Sequence, residues 1–375
     1  MKARKRILVV IVLVMFFQLG MLPKKAKAVS VSASAAILMD QETGRVLYEH
    51  NANETHRIAS ITKVMTAVLA IESGKMDETT TVSKRAIYTE GSSIYLQQGE
   101  KIKLEDLVYG LMLRSGNDAA TAIAEHIGGS VEGFVFLMNQ KAAEIGMTHT
   151  AFANPHGLDD HEEHYSTAYD MALLTRYAMM NPKFQEISGT KSYTLTRENG
   201  AHKWKNKNRL LTEKYEYCTG GKTGFTKRAG RTLITTATKE NKDLIAVTLN
   251  APDDWTDHIS MYEYGFKTYS QKTILSKGSL ALNIKEMEGK NFFLKDSIVY
   301  PLSEEEVDKV RMEYKLLPAK QLKSLQKGKA GIAIMYLQDE PVKKEIIYLK
   351  EEDPESENLW DYFKKLMFSR ADAHD

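Results

Sequence analysis

Arg57-Ile58-Ala59-Ser60-Ile61-Thr62-Lys63, running on into Val64-Met65-Thr66-Ala67-Val68-Leu69, is the stretch on which the fold turns. Ile61, Val64, Met65, Val68 and Leu69 recur at helical spacing, so a helix is predicted with Ser60 at or just inside its N-terminus. Residues three apart on a helix face the same side, so Ser60 and Lys63 meet without help from tertiary contacts. Unpaired backbone N–H groups gather at a helix start, and the helix dipole favours developing negative charge there. A serine hydroxyl is a poor nucleophile until a base stands within hydrogen-bond reach. For Lys63 to be that base its amine must be neutral, which burial and a second nearby cation would both favour.

Two further motifs follow in order. Ser115-Gly116-Asn117 comes after an apolar helical stripe of Leu104, Leu107, Val108, Leu111 and Met112, and a helical pattern resumes from Asp118 to Ile127. The motif serine and asparagine are thus expected on a short loop between two helices. Ser115 can relay a proton between Lys63 and a leaving amine. Asn117 can hydrogen-bond both Lys63 and a substrate amide. Lys222-Thr223-Gly224 is expected on an edge strand beside Ser60, with Lys222 as the second cation. Lys222 and Thr223 can bind a terminal carboxylate, and Gly224 lets a substrate backbone approach closely. The backbone N–H groups of Ser60 and Phe225 are the expected oxyanion hole, a device that contributes about 3–4 kcal/mol to barrier reduction. Each motif alone is common. The order S-x-x-K, S-x-N, K-T-G is the signature of serine acyltransferases that recognise penicillin.

Around these motifs the chain reads as an α/β (α+β) protein. Ala35 to Asp40 and Gly44 to Tyr48 read as two strands about a turn. Val131 to Ile145 and Thr167 to Met180 read as helices, Arg231 to Thr238 and Leu244 to Leu249 as strands, and Met261 to Tyr269 as a closing helix after a break at Pro252-Asp253-Asp254. Beyond Tyr269, short apolar and β-branched runs alternate with charged turns, which predicts a small all-β domain over 270–350 with no catalytic motif in it. Residues 351–375 open with the polar linker Glu351 to Glu357. They end in an amphipathic helix with Leu359, Trp360, Phe363, Leu366 and Met367 on one face and Lys364, Lys365 and Arg370 nearby, a pattern that lies in a membrane interface without spanning it.

Length and composition set the outer bounds. The 375 residues suffice for two domains, with catalysis placed in 29–269, and the formal net charge of +2 implies no nucleic-acid partner. Lys2, Arg4, Lys5 and Arg6, then apolar Ile7 to Leu22, then Ala26-Lys27-Ala28 read as a secretory signal peptide over 1–28, with the mature chain beginning near Val29. Cys218 is the only cysteine, so no intramolecular disulfide forms. Its expected role is that of a small buried hydrophobe, although strand alternation would give it the same parity as Lys222. His161-Glu162-Glu163-His164 lacks zincin spacing and is read as a solvated loop. His156, within turn-rich Asn154-Pro155-His156-Gly157-Leu158, is read as structural. No metal or other cofactor is expected.

The chain resembles the low-molecular-weight penicillin-binding proteins that are serine-type D-Ala-D-Ala carboxypeptidases. The resemblance runs from about Val31 to the C-terminus. It is carried by the Arg57 to Lys63 stretch, Arg114-Ser115-Gly116-Asn117-Asp118-Ala119, Asn154 to Leu158 and Thr219-Gly220-Gly221-Lys222-Thr223-Gly224. The stretches Met65 to Met76 and Tyr165 to Met171 are similar to the sporulation-specific member of bacilli. The resemblance implies a penicillin-binding transpeptidase fold with a C-terminal β-sandwich and an amphipathic anchor. It implies an exported, peripheral enzyme at the outer face of the cytoplasmic or forespore outer membrane. Its partners would be peptidoglycan pentapeptide stems, β-lactams as covalent inhibitors, and a membrane surface. Several relatives place an arginine downstream of K-T-G to help bind the substrate carboxylate. Here that region reads Asp253-Asp254-Trp255-Thr256-Asp257-His258, so carboxylate binding is expected to rest on Lys222 and Thr223. Two alternatives stay open. A class A-like β-lactamase shares the motif order, but no E-x-x-L-N segment stands between Asn117 and Lys222. An idle wall-binding protein would keep the fold without needing intact motifs.

Overall fold

The computed structural model describes residues 29–197, 200–282, 291–325 and 327–349. The expected signal peptide and the linker with its tail helix lie outside the described residues. In chain order the strands are β1 (Ala35–Asp40), β2 (Val46–His50), β3 (Thr79–Thr81), β4 (Lys101–Lys103), β5 (Ser192–Arg197), β6 (Gly200–Lys205), β7 (Cys218–Thr226), β8 (Gly230–Lys239) and β9 (Lys242–Leu249). The helices are α1 (Lys63–Glu72), α2 (Lys84–Ile87), α3 (Leu104–Tyr109), α4 (Asn117–Gly128), α5 (Val131–Ile145), α6 (Ala168–Ala178), α7 (Pro182–Gly189) and α8 (Asp254–Thr268).

An antiparallel sheet of order β2-β1-β9-β8-β7 organises this part of the chain. β1 is buried along its length, and apolar from Ala35 to Met39, because it is covered on both faces. Ala35, Ile37 and Met39 join the core shared with α1, α4 and α6, while Ala36 and Leu38 pack on Met261, Tyr262 and Phe266 of α8. α1 is buried from Lys63 to Ala70, as a helix apolar on all sides must be. The lysine motif therefore enters the middle of the protein, and burial of its amine follows from helix placement.

α5 coincides with the expected helix, and Ser130 caps it by accepting from Gly133 N–H at 2.9 Å. α8 begins earlier than expected. The Pro252-Asp253-Asp254 break is one tight corner, and Asp254 and Asp257 sit in the first turn, where the dipole favours them.

The C-terminal segment adds β10 (Ser270–Leu275), β11 (Gly278–Leu280), β12 (Phe292–Leu294), β13 (Ile298–Leu302), β14 (Val310–Leu316), β15 (Gly328–Leu337) and β16 (Glu340–Leu349), with the short helix α9 (Ala319–Ser324). A five-stranded sheet, β11-β12-β16-β15-β14, faces the β10–β13 pair across a core that includes Phe292, Ile298, Leu302, Met335 and Ile347. Arg45, in the turn between β1 and β2, joins this unit to the first sheet. It donates to the Pro301 carbonyl, pairs with Glu306, and lies 5.1 and 5.3 Å from the ring centres of Tyr269 and Tyr300. Among the described residues no helix is long and apolar enough to cross a membrane.

Candidate active site

Ser60 sits on one turn of 3-10 helix, Ala59–Thr62, that leads into α1. Ala59 takes φ +48°, a left-handed conformation uncommon outside glycine and worth a functional question. Three ties hold this turn. Thr232 Oγ1 on β8 donates to the Ile58 carbonyl at 2.9 Å, and Thr62 Oγ1 donates to the Ala59 carbonyl at 2.8 Å. The third comes from His164, which is buried, not solvated as expected. Its Nδ1 accepts from Ala153 N–H at 3.0 Å, so Nε2 carries the proton and donates to Thr62 Oγ1 at 2.8 Å. Burial pushes the His164 ring down to about 3, which keeps it neutral. Its neighbour Glu162 does face solvent, where it pairs with Arg57 and Arg228.

Lys63 Nζ is fully buried and has three partners. Ser60 Oγ lies at 2.9 Å and Asn117 Oδ1 at 2.7 Å, and the His156 carbonyl is the third. A neutral amine has two N–H donors and one lone pair, which matches two fixed acceptors and one hydroxyl. Burial, then the charges of Lys222 and Lys207, hold the Lys63 amine well below the ordinary lysine range, against a smaller opposing pull from Asp118. Lys222 is also buried, and burial followed by Lys207 lowers it to about 7. His156 contributes its backbone, while its buried ring is pushed down to about 3.

Ser115 occupies a left-handed corner, φ +65°, where a widened π-type turn over Gly110–Arg114 ends. Its Oγ accepts from Lys222 Nζ at 3.1 Å, and no hydrogen bond joins it to Lys63. Asn117 is the first residue of α4 and not a loop residue. Its Nδ2 donates to the Glu90 carbonyl at 2.5 Å, so a substrate amide would have to displace that contact. Asp118, buried beside it, fixes the facing loop by accepting from Ser93 Oγ at 2.6 Å, from Ile94 N–H at 3.1 Å and from Leu96 N–H at 3.2 Å.

Lys222, Thr223 and Gly224 lie on β7, the outer strand of the sheet, as expected. A Cβ on Gly224 would come within 2.9 Å of Ser60 N, so only glycine lets this strand run so close to the serine turn. The parity expected for Cys218 fails. A bulge between Cys218 and Gly220 shifts the register, so Cys218 packs with Leu210, Leu211 and Leu233, while Lys222 pairs with Ile234 on the other face. Burial raises its thiol to about 11, which leaves it inert.

A cavity of about 360 Å³ opens over these groups, lined by Ser60, Ser115, Thr223, Gly224 and Phe225, and by Lys207, Ser92, Arg231, Asp254 and Trp255. Arg231 was missed from sequence. It stands opposite Phe225 in the β7–β8 register. Asp254 Oδ1 accepts from its Nη2 at 2.6 Å, and its guanidinium lies 5.3 Å from the ring centre of Trp255. The segment that lacks an arginine of its own therefore cradles one from the neighbouring strand. Counting the hairpin register forward from Lys222 through the turn at Gly230 is the signal that would have found it.

Comparison with known proteins agrees with this geometry. A profile of the D-alanyl-D-alanine carboxypeptidase family, peptidase S11, matches residues 22–253. D-alanyl-D-alanine carboxypeptidase DacF of Bacillus subtilis is 34% identical over 307 residues, which span 78% of each chain. Penicillin binding protein 5 from Haemophilus influenzae superposes with a TM-score of 0.73 at 26% identity, over 87% of this chain and 98% of that one. D-alanyl-D-alanine carboxypeptidase DacD from Francisella tularensis gives 0.68 at 25% identity, over 88% and 97%. The chain belongs to the D-alanyl-D-alanine carboxypeptidases of peptidase family S11.

Proposed function

We propose that the protein removes the terminal D-alanine from peptidoglycan pentapeptides through an acyl-enzyme on Ser60. The observation that carries this is the buried, charge-depleted Lys63 amine at 2.9 Å from Ser60 Oγ. Ser60 Oγ attacks the carbonyl carbon of the penultimate D-alanine and gives its proton to Lys63 Nζ. Negative charge on the carbonyl oxygen is received by the N–H groups of Ser60 and Phe225. The C–N bond then breaks as the proton held by Lys63 passes, by way of Ser115, to the departing amine, which returns Lys63 to its neutral form. Water attacks the ester and gives a proton to the neutral Lys63, which returns it to Ser60 Oγ as the C–O bond breaks, freeing Ser60 and leaving a carboxylate on the shortened stem. Asn117 holds the Lys63 amine in place. Lys222, Thr223 and Arg231 take the terminal carboxylate, and Gly224 admits the substrate backbone. β-Lactams follow the first half of this path and remain bound as penicilloyl esters.

Intact-mass analysis after benzylpenicillin is expected to show one adduct, slow to hydrolyse, and none on Ser60→Ala. The purified protein is expected to release D-alanine from a muropeptide pentapeptide. An adduct on Ser60→Ala overturns the assignment of the nucleophile, and rapid penicilloyl turnover favours a β-lactamase.

The same proposal divides the chain at residue 269, with catalysis before it and a β-sandwich over 270–350. Likeness to the sporulation-specific member of bacilli at Met65 to Met76 and Tyr165 to Met171, together with the identity to DacF, supports action on spore-cortex peptidoglycan. Muropeptide analysis of cortex from a deletion strain tests that role through an expected rise in cross-linking. The amphipathic segment over 359–370 supports peripheral membrane attachment. Removing residues beyond Asp353 is expected to abolish sedimentation with anionic vesicles.

A further inference from the structure

The chain's formal net charge is only +2, yet one strand presents a row of cations. β6 and its continuation read His202-Lys203-Trp204-Lys205-Asn206-Lys207-Asn208. Trp204, Asn206 and Asn208 are buried, whereas Lys203, Lys205 and Lys207 are exposed. Strand alternation therefore sets three ammonium groups in one row, at a rise of about 3.3 Å per residue. Their cross-strand neighbours do not neutralise them, because Thr194 stands opposite Lys203 and Ser192 opposite Lys205. Arg114, next to Ser115, joins the row by donating to the Lys205 carbonyl at 3.1 Å. Among the described residues no ion pair is formed by Lys203, Lys205, Lys207 or Arg114.

The row leads to the serine. Lys207 lines the same cavity as Ser60, and its Nζ donates to Ser92 Oγ at 3.2 Å. A second cavity of about 370 Å³ extends along Arg114, Lys203 and Lys205, with Ser93 and Tyr95 as its other wall. Tyr95 is 79% exposed and has φ +59°. Such a conformation persists only where the surroundings fix it. Here Tyr95 N–H donates to Ser93 Oγ at 2.7 Å and its carbonyl accepts from Arg197 at 3.3 Å. An exposed ring on a fixed backbone thus faces a line of cations that form no ion pairs among the described residues and whose end, Lys207, stands in the cavity of Ser60. Arg231 enters the cavity from β8, whereas Lys207 enters it from the segment after β6, which is tied to the turn before Ser115 by the Lys207 N–H donating to the Leu113 carbonyl at 3.1 Å. The terminal carboxylate and the row therefore belong to different ends of one extended ligand.

We propose that Lys203, Lys205, Lys207 and Arg114, with Tyr95, form a subsite for the acyl side of the substrate that selects peptides carrying carboxylates before the scissile bond. This rests on the carboxypeptidase reading and adds a substrate class to it: acidic stems are preferred over neutral D-Ala-D-Ala peptides. Exposed charge contacts are individually weak and screened by salt, so the preference is modest and ionic-strength dependent.

The test uses the full mature chain and two N-acetylated peptides ending in D-Ala-D-Ala, identical except for glutamate or glutamine in the acyl part. At low salt kcat/KM is expected to be about fivefold higher for the glutamate peptide. The ratio is expected to fall toward one in high salt, and in Lys203→Gln/Lys205→Gln, whose rate on the glutamine peptide stays at the wild-type value. Equal turnover of both peptides by the wild type overturns the inference, as does a ratio unchanged in the double variant. Should the double variant keep the ratio but lose sedimentation with anionic vesicles, the row faces lipid and the inference also fails. D-alanine release from neither peptide overturns the carboxypeptidase reading itself, and the subsite with it.

Discussion

Lys63 and Lys222 are two buried amines whose surroundings disfavour a charge on them. Burial is the larger cause for both, and the charge of Lys222 adds to it at Lys63. Lys63 must be unprotonated to accept the Ser60 proton, so acylation falls as pH drops through its lowered pKa. Removing a neighbouring positive charge raises the pKa of an amine. In Lys222→Gln the acid limb of the benzylpenicillin acylation rate is therefore expected to move to higher pH, whatever happens to its plateau. An unmoved or downward-shifted limb would show that Lys222 does not tune Lys63. Lys63→Arg keeps a charge that cannot be shed and is expected to slow acylation by ~10²–10⁴-fold. The same lowered pKa values act on stability. Below about 7 both states of Lys222 are protonated and folding bears the full cost of burying that charge; the cost is relieved as pH rises from there toward the ordinary lysine value.

At the scale of elements, the serine turn is held by loops as much as by its helix. Gly157, φ +87°, packs so closely on the Ala59 carbonyl that a Cβ there has no room. Gly157→Ala is expected to lower stability by ~1–3 kcal/mol in urea titrations and to slow penicillin acylation by shifting Ser60. Retained stability with retained acylation would show that the turn tolerates the shift. The elements with strong periodicity were legible in the sequence, among them β1 with its buried run, α1 and α5. The K-T-G motif was legible as an edge strand because its glycine lets another backbone approach closely. Other features were hidden for physical reasons. The β5–β6 hairpin alternates Tyr193 and Leu195 with serine and threonine and sets Trp204 between lysines, and its apolar face is too sparse to signal a strand. The bulge at Cys218 reverses a parity that simple alternation keeps. Arg231 and the His156 carbonyl reach the site through register and loop packing, which no local motif encodes.

At the scale of the molecule, the two sheet systems meet at Arg45, whose guanidinium is shared by Tyr269, Tyr300, the Pro301 carbonyl and Glu306. Gln271 adds a bond to Asp40 at 2.9 Å. Arg45→Ala removes a half-sandwiched cation and its hydrogen bonds, at a cost of ~1–3 kcal/mol to the junction. Calorimetry is expected to resolve the C-terminal sheets as a separate, earlier transition in this variant, with turnover of soluble peptides unchanged. A single transition at the wild-type temperature would mean that the junction is held elsewhere. The junction lies at the β1–β2 end of the first sheet, and Ser60 sits beside β7, the opposite edge. With neighbouring strands about 4.8 Å apart, four spacings put the two about 19 Å from one another across the sheet. The central sheet thus acts as a spacer of fixed width. Whatever the C-terminal unit rests upon, the cutting edge stands off from it by the breadth of the sheet, so reach into the surrounding polymer is set by geometry before affinity has any say.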